Sequence, residues 1–264
     1  MKDISWKSHD FSQYDTVFHV AGIAHADMEK ITPDKQKKYY AVNTDLAIKT
    51  AEHAKAEGIR QFIFMSSMIV YGERQHIDEY TVPAPSNFYG DSKWQADKGI
   101  RELESDDFNV AVLRSPMIYG KGSKGNYSIL EKLARKLPIF PDVDNQRSML
   151  YIENLCEFVA QLICSGEGGI YFPQNREYTK TSEMFKLIGE QAQRQIKITK
   201  LLNPIIGVVS HISGRMGKVV KKAFGDFTYD YKLSSYDGLN YQKVDFIESI
   251  KRIEKVSKKS EKNA

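Results

Sequence analysis

The sequence predicts an α/β chain built on a doubly wound parallel sheet, with a smaller lobe formed by its C-terminal part. Three observations carry this. Short, largely apolar segments recur at residues 14–22, 59–67 and 108–120. Between them lie longer stretches with apolar residues at helical spacing. Prolines and glycines sit where such helices would begin and end. Strands that are apolar on both faces suit a sheet covered on both sides, and strand–helix alternation suits parallel pairing through crossovers.

Each element follows in order. "YDTVFHVAG" (14–22) is a buried strand ending in a glycine turn. Residues 33–58 read as one long helix, with Pro33 at its start and Gly58 at its end. "IRQFIFMSS" (59–67) is a second strand. Residues 86–105 form the next helix, and "FNVAVLRSPMIYG" (108–120) a third strand with its exit loop. A helix over 127–137 stops before Pro138. Beyond residue 146 the elements shorten: "SMLYI" (148–152) and "GGIYFP" (168–173) as strands, 153–164 and 181–193 as helices. The tail from Lys251 carries six basic and two acidic residues and reads as a solvated helix end.

Bulk properties exclude several classes. A chain of 264 residues with 41% hydrophobic and 27% charged residues has material for a sizeable core. A net charge of +4 is too small to mark a nucleic-acid binder by charge. No secretory apolar region opens the chain, so a cytoplasmic location is expected. The most apolar stretch, 201–212, is too short to span a bilayer and contains Pro204, although a membrane-surface role for the basic, apolar stretch 205–224 stays open. Cys156 and Cys164 lie in a helix without metal-ligand spacing, so buried or idle thiols and no metal site are expected.

The chemistry concentrates at two places. Ser66 and Ser67 end an apolar strand, and ligands bind outside the carboxyl ends of strands in open parallel sheets. Tyr89 and Lys93 are four apart and share a helix face. A tyrosine is a poor base at neutral pH, and a neighbouring ammonium favours its phenolate. Serine to hold a substrate oxygen, tyrosine to move a proton and lysine to tune it make a set for reversible alcohol–ketone chemistry. In a chain with 15 tyrosines, one YxxxK arises easily by chance. The order of strand, SS, VYG and then YGDSK opening a helix is what gives the pair weight.

In these motifs the chain resembles the extended short-chain dehydrogenases/reductases, the NAD-dependent nucleotide-sugar epimerase/dehydratase family. "VFHVAGIAHA" is similar to that family's fourth-strand segment, and the resemblance places Val20, Ala21, Gly22 and Ile23 against the cofactor. Asn43 stands in the family's Val-Asn. The family's catalytic serine or threonine falls on Ser67, beside Ser66, and its Tyr and Lys on Tyr89 and Lys93. Ser115, Pro116 and Met117 would lie near the nicotinamide. The resemblance implies that Arg147 meets the substrate diphosphate and that Asn126 contacts substrate. It further implies a Rossmann-like sheet, NAD (with NADP possible), a nucleotide-sugar substrate and a homodimer through the two long helices. Residues 1–146 would be a partial cofactor domain and 147–264 a substrate lobe, the two interleaving.

Two departures bear on function. The family opens with a strand, a glycine-rich turn and a helix that carries the pyrophosphate. No such unit precedes Tyr14, and Asp3-Ile4 is a weak echo of the family's adenine-contacting dipeptide. Without that unit the 14–22 strand becomes a sheet edge, so the sequence predicts aggregation, edge-mediated dimerisation or a longer natural polypeptide. "GKGSKG" (120–125) matches GxGxxG but is read as a decoy, because residues 116–119 are expected to separate it from its strand. The second departure is "LRSPMIYG", which lacks the aromatic and asparagine of galactose-type epimerases and is similar to members acting in surface-polysaccharide pathways. The expected activity is a UDP-hexose or UDP-N-acetylhexosamine 4-epimerase. A 4-keto-sugar reductase or a non-catalytic remnant is the alternative.

Overall fold

The computed structural model describes residues 5–24, 32–123, 126–211, 220 and 223–262. Four parallel strands form the main sheet: β1 (Thr16–His19), β2 (Gln61–Met65), β4 (Asn109–Leu113) and β8 (Gly169–Tyr171), in the order β1-β2-β4-β8. The alternation of side chains along a strand explains its two covers. Phe62, Phe64, Val110 and Val112 face one side, against Ala47, Ala51 and Ala54 of α2 (Leu46–Ala56) and Ala96 and Ile100 of α3 (Phe88–Arg101). Ile63, Ala111 and Leu113 face the other, against Leu155, Phe158 and Leu162 of α5 (Ile152–Ser165). The alanine rows let α2 and α3 lie close to the sheet. Each buried Phe, Ile or Leu on these faces contributes roughly 1.5–3 kcal/mol.

Several expectations need correction. The helix foreseen over 33–58 is three pieces: α1 (Pro33–Tyr40), a π-helical turn (Ala41–Asp45) and α2. The helix foreseen over 86–105 begins later, because the Asn87 side chain caps it by accepting from the Gly90 amide at 2.9 Å. The segment 108–120 is two strands, β4 and β5 (Met117–Tyr119). Proline at 116 cannot donate to a ladder, so the chain leaves the main sheet there. β5 pairs instead with β7 (Met149–Tyr151). "GGIYFP" does not stay in a separate lobe, since its β8 part closes the main sheet beside β4.

The rest of the chain builds a second layer at the carboxyl ends of the main strands. It comprises β3 (His76–Ile77), α4 (Asn126–Ala134), β6 (Ile139–Pro141), α6 (Thr181–Gln191), β9 (Lys197–Thr199), α7 (Asn203–His211), β10 (Thr228–Tyr229) and α8 (Phe246–Lys262). β3 pairs with β10 and β6 with β9. Its core stacks Phe140 on Phe185 at 3.7 Å and adds Ile188, Ile196, Ile250 and Ile253. Among the described residues β1 has a strand on one side only, and Val17 and Phe18 are half-buried. Cys156 and Cys164 are free and exposed rather than buried. No group of His, Cys, Asp and Glu among the described residues could hold a metal ion. No described helix is long and apolar enough to cross a membrane.

Candidate active site

The serine pair sits where β2 ends, and its two side chains take different partners. Ser66 is buried, and its hydroxyl donates to Asp97 Oδ2 at 3.1 Å. Ser67 caps the 3₁₀ turn Met68–Tyr71, its hydroxyl accepting from the Ile69 amide at 3.3 Å. From that position Ser67 lies beside the Tyr89 side chain and favours its ionised form. The first turn of α3 can come this near because residue 90 is glycine. A Cβ there would lie 2.8 Å from the Ile69 carbonyl oxygen and 3.2 Å from Pro85.

One helical turn further, Lys93 runs under the end of β2. Its ammonium donates to the Met65 carbonyl at 2.9 Å and lies 4.8 Å above the Phe64 ring. Only 5% of Lys93 is exposed, and burial pushes its pKa down to about 8. The expected effect of Lys93 on Tyr89 is not what this geometry gives. Burial raises the Tyr89 phenol, neighbouring Ser67 opposes that rise, and Tyr39 adds to it. Four-residue spacing put both groups on one face, but Lys93 reaches inward to a carbonyl rather than to the phenol oxygen.

The loop after β1 is drawn to the same place by Asn43. Its Oδ1 accepts from the Ile23 amide at 2.7 Å, and its Nδ2 donates to the Ile23 carbonyl and to Ser92 Oγ, each at 3.1 Å. Asn43 lies on the π-helical turn, where the widened helix carries it between loop and α3. Thr44 adds a bond to the Ser92 carbonyl at 2.7 Å. Gly22 is therefore close enough that a Cβ would stand 3.2 Å from both Asn43 Oδ1 and Lys93 Nζ. Val20 and Gly22 are exposed, and Ala21 and Ile23 half-buried.

Across the site, Ser115 and Pro116 are buried and Met117 is half-buried. The Ser115 carbonyl accepts from the Met68 amide at 2.8 Å, tying the exit of β4 to the serine turn. Arg147 is held in another group, where its backbone exchanges two hydrogen bonds with Thr179 and its Nη1 donates to the Gly225 carbonyl at 2.9 Å. Asn126 opens α4, and its side chain lies outside the described residues, as do Asp3, Ile4 and the end of the GKGSKG loop. Contrary to expectation, that loop follows a strand directly, because β5 ends at Tyr119. A Cβ on Gly120 would collide with the Ile152 side chain, so its first glycine serves a packing contact.

A buried ion pair that sequence reasoning missed braces the serines from below. Arg114 Nε and Nη2 donate to Asp97 Oδ2 and Oδ1 at 2.9 and 3.0 Å, and Nη1 donates to the Tyr71 hydroxyl at 2.7 Å. Arg101 also donates to Asp97 Oδ1 at 3.0 Å. The Tyr229 hydroxyl donates to the Arg114 carbonyl at 2.6 Å, joining the second layer to the pair. A signal existed, because Asp97 stands four residues past Lys93 and eight past Tyr89, on one helix face.

With the geometry in place, the chain can be set beside known proteins. The model of the NAD dependent epimerase/dehydratase family matches residues 4–171, which takes in β1, the serine turn, YxxxK and β8. The chain belongs to this family. Its curated relatives include the UDP-glucose 4-epimerase of Vibrio cholerae, 32% identical over 158 residues, 56% of this chain and 47% of the relative. Another is the N-acetyl-alpha-D-glucosaminyl-diphospho-ditrans,octacis-undecaprenol 4-epimerase of Escherichia coli O157:H7, 32% identical over 127 residues, 46% of this chain and 38% of the relative. The alignments thus span less than half of these relatives' own lengths. Among solved structures, the UDP-glucuronic acid 4-epimerase of Bacillus cereus in complex with NAD is similar in fold. Its TM-score is 0.71 at 17% identity, over 96% of this chain and 79% of that one. The parallel sheet of this epimerase/dehydratase family member is accordingly the Rossmann-like one.

The residues present fit the nicotinamide end of a dinucleotide. A glycine loop lies beside a buried ammonium whose three N–H groups exceed the single Met65 carbonyl it reaches. A side chain at position 22 would fill the gap between them.

Proposed function

We propose that the chain carries the acid–base site of an NAD(P)-dependent nucleotide-sugar 4-epimerase, of UDP-hexose or UDP-N-acetylhexosamine type, serving surface-polysaccharide assembly. The observation that carries this reading is the meeting of Ser67, Tyr89 and buried Lys93 at the carboxyl end of β2, beside the loop at residues 20–23. Ser67 orients the sugar 4-hydroxyl, and Tyr89 takes its proton and later returns it. Lys93 holds ribose hydroxyls with its remaining N–H groups, and Asn43 fixes the loop that lines the cofactor, with Ser115, Pro116 and Met117 opposite. When bound, the dinucleotide supplies the hydride acceptor and donor. Arg147 and Asn126 are proposed to meet the substrate from the second layer, residues 147–264. The raised phenol of Tyr89 means that the resting site holds a neutral hydroxyl, and that ionisation is favoured only once positive charge adjoins it. We also propose a cytoplasmic homodimer packed through α1–α2 and α3.

The test is a titration of the 264-residue chain with NADH by cofactor fluorescence, followed by NMR of UDP-glucose and UDP-N-acetylglucosamine incubated with NAD. Saturable binding and conversion to the 4-epimers are expected, with Tyr89→Phe slowing turnover by about 10²–10⁴-fold while binding persists. Net oxidation of NAD(P)H by a 4-keto sugar would assign the site to a reductase instead. Folded protein that binds no NADH would overturn both.

A further inference from the structure

Leu201, Ile205 and Val208 are 83%, 58% and 68% exposed, the first in the 3₁₀ turn Lys200–Leu202 and the others in α7. Their spacing of four and three residues puts them on one helical face, so the face turned to solvent is aliphatic. Soluble surfaces carry isolated apolar residues without consequence, whereas a contiguous stripe of three along a turn and the helix that follows it marks a contact. The segment is well anchored at its base. β9 pairs with β6, and Asn203 Nδ2 donates to the Asp142 carbonyl at 2.8 Å. The stripe is therefore presented by the second layer.

Charge identifies the occupant. From Gln191 to Gly225 the sequence contains no Asp or Glu and seven Lys or Arg. The whole chain has a net charge of only +4, so the rest of the chain is net acidic and this segment holds the chain's excess of cations. Lys197 and Lys200 are exposed within it, close to the stripe. An aliphatic face beside exposed lysines is complementary to a surface that is both apolar and anionic. We propose that Lys197–His211 docks on anionic phospholipid, with Leu201, Ile205 and Val208 entering the headgroup–acyl boundary and the lysines meeting lipid phosphates. α7 has nine residues and cannot cross a bilayer, so the attachment is peripheral. This goes beyond the proposed catalysis and does not depend on it, because binding is read without turnover.

The test is co-sedimentation of the full chain with vesicles of equal parts phosphatidylglycerol and phosphatidylcholine, and with vesicles of phosphatidylcholine alone. Binding to the anionic vesicles is expected, weakening as NaCl rises toward about 0.5 M. The exposed double variant Ile205→Asp/Val208→Asp, checked for unchanged circular dichroism, is expected to bind at least about tenfold more weakly. Lys197→Gln/Lys200→Gln is expected to weaken binding without removing it. Folded wild-type protein that stays in the supernatant overturns the proposal, as does binding unaffected by the aspartates or equal on neutral vesicles. A dimer in sedimentation velocity that the aspartates dissociate would assign the stripe to a second copy of the chain and also overturn it.

Discussion

Replacing Lys93 with methionine separates what this residue costs the fold from what it gives the site. Burial holds the folded-state ammonium at about 8, against 10.5 for an ordinary lysine. At neutral pH that difference is about 3 kcal/mol of destabilisation. Between pH 8 and 10.5 the unfolded chain binds more protons than the folded one, so the lysine's penalty is complete below pH 8 and disappears as pH rises through the window. Methionine keeps the length without the charge. It forfeits the bond to the Met65 carbonyl and the contact over Phe64, together worth about 1–2 kcal/mol. Lys93→Met is therefore expected to be more stable than wild type by about 1–2 kcal/mol at pH 7. That advantage should vanish and reverse near pH 10, while turnover and NADH binding are lost. Urea unfolding followed by circular dichroism at pH 7, 8.5 and 10 measures the difference, and other titrating groups cancel between the two proteins. A difference that stays constant from pH 7 to 10 would refute the reasoning.

Three further outcomes follow from the same geometry. His19 is buried at the end of β1, and burial, with Lys93 adding, pushes it to about 4. Stability should fall by about 3 kcal/mol as pH drops from 6.5 to 4. In an acid titration His19→Phe should flatten that part of the curve. Asp97→Ala strands the Arg114 guanidinium, which is 4% exposed, and should cost about 3–5 kcal/mol in denaturant unfolding. Gly90→Ala forces a Cβ against the Ile69 carbonyl. It should cost about 1–3 kcal/mol, and activity should fall by more than the loss of folded protein explains.

The sheet was legible because each of its central strands announces itself twice. Phe62-Ile63-Phe64 and Val110-Ala111-Val112 are apolar at every position, and only a sheet covered on both faces asks for that. Tyr89 and Lys93 were legible because four-residue spacing survives folding intact. The direction in which Lys93 points was not, because a flexible side chain is aimed by the Met65 carbonyl, which is 28 residues away in sequence. Asp97 was passed over for a similar reason. Its partner Arg114 sits on another element, and a carboxylate on a helix is ordinarily solvated. The break of the 108–120 strand was written in Pro116 and was misread as an exit loop. The π-helical turn left no mark, since AVNTD suits an α-helix as well as a π-helix.

That turn has a consequence for how this protein can vary. A π-helical turn holds one residue more than the α-helical turn it replaces, so its presence is equivalent to a one-residue insertion that the helix has absorbed locally. Deleting one residue between Ala41 and Asp45 would restore an unbroken helix from Pro33 to Ala56. Deleting a residue from α1 or α2 themselves would instead rotate one end against the other by about 100°, a single residue's share of a 3.6-residue turn. Either Tyr39 and Tyr40 would leave Tyr89 and Asp91, or α2 would lose its alanine face to the sheet. Point substitutions can explore this helix one position at a time, but outside the turn its length is fixed by the two sets of neighbours it must satisfy at once.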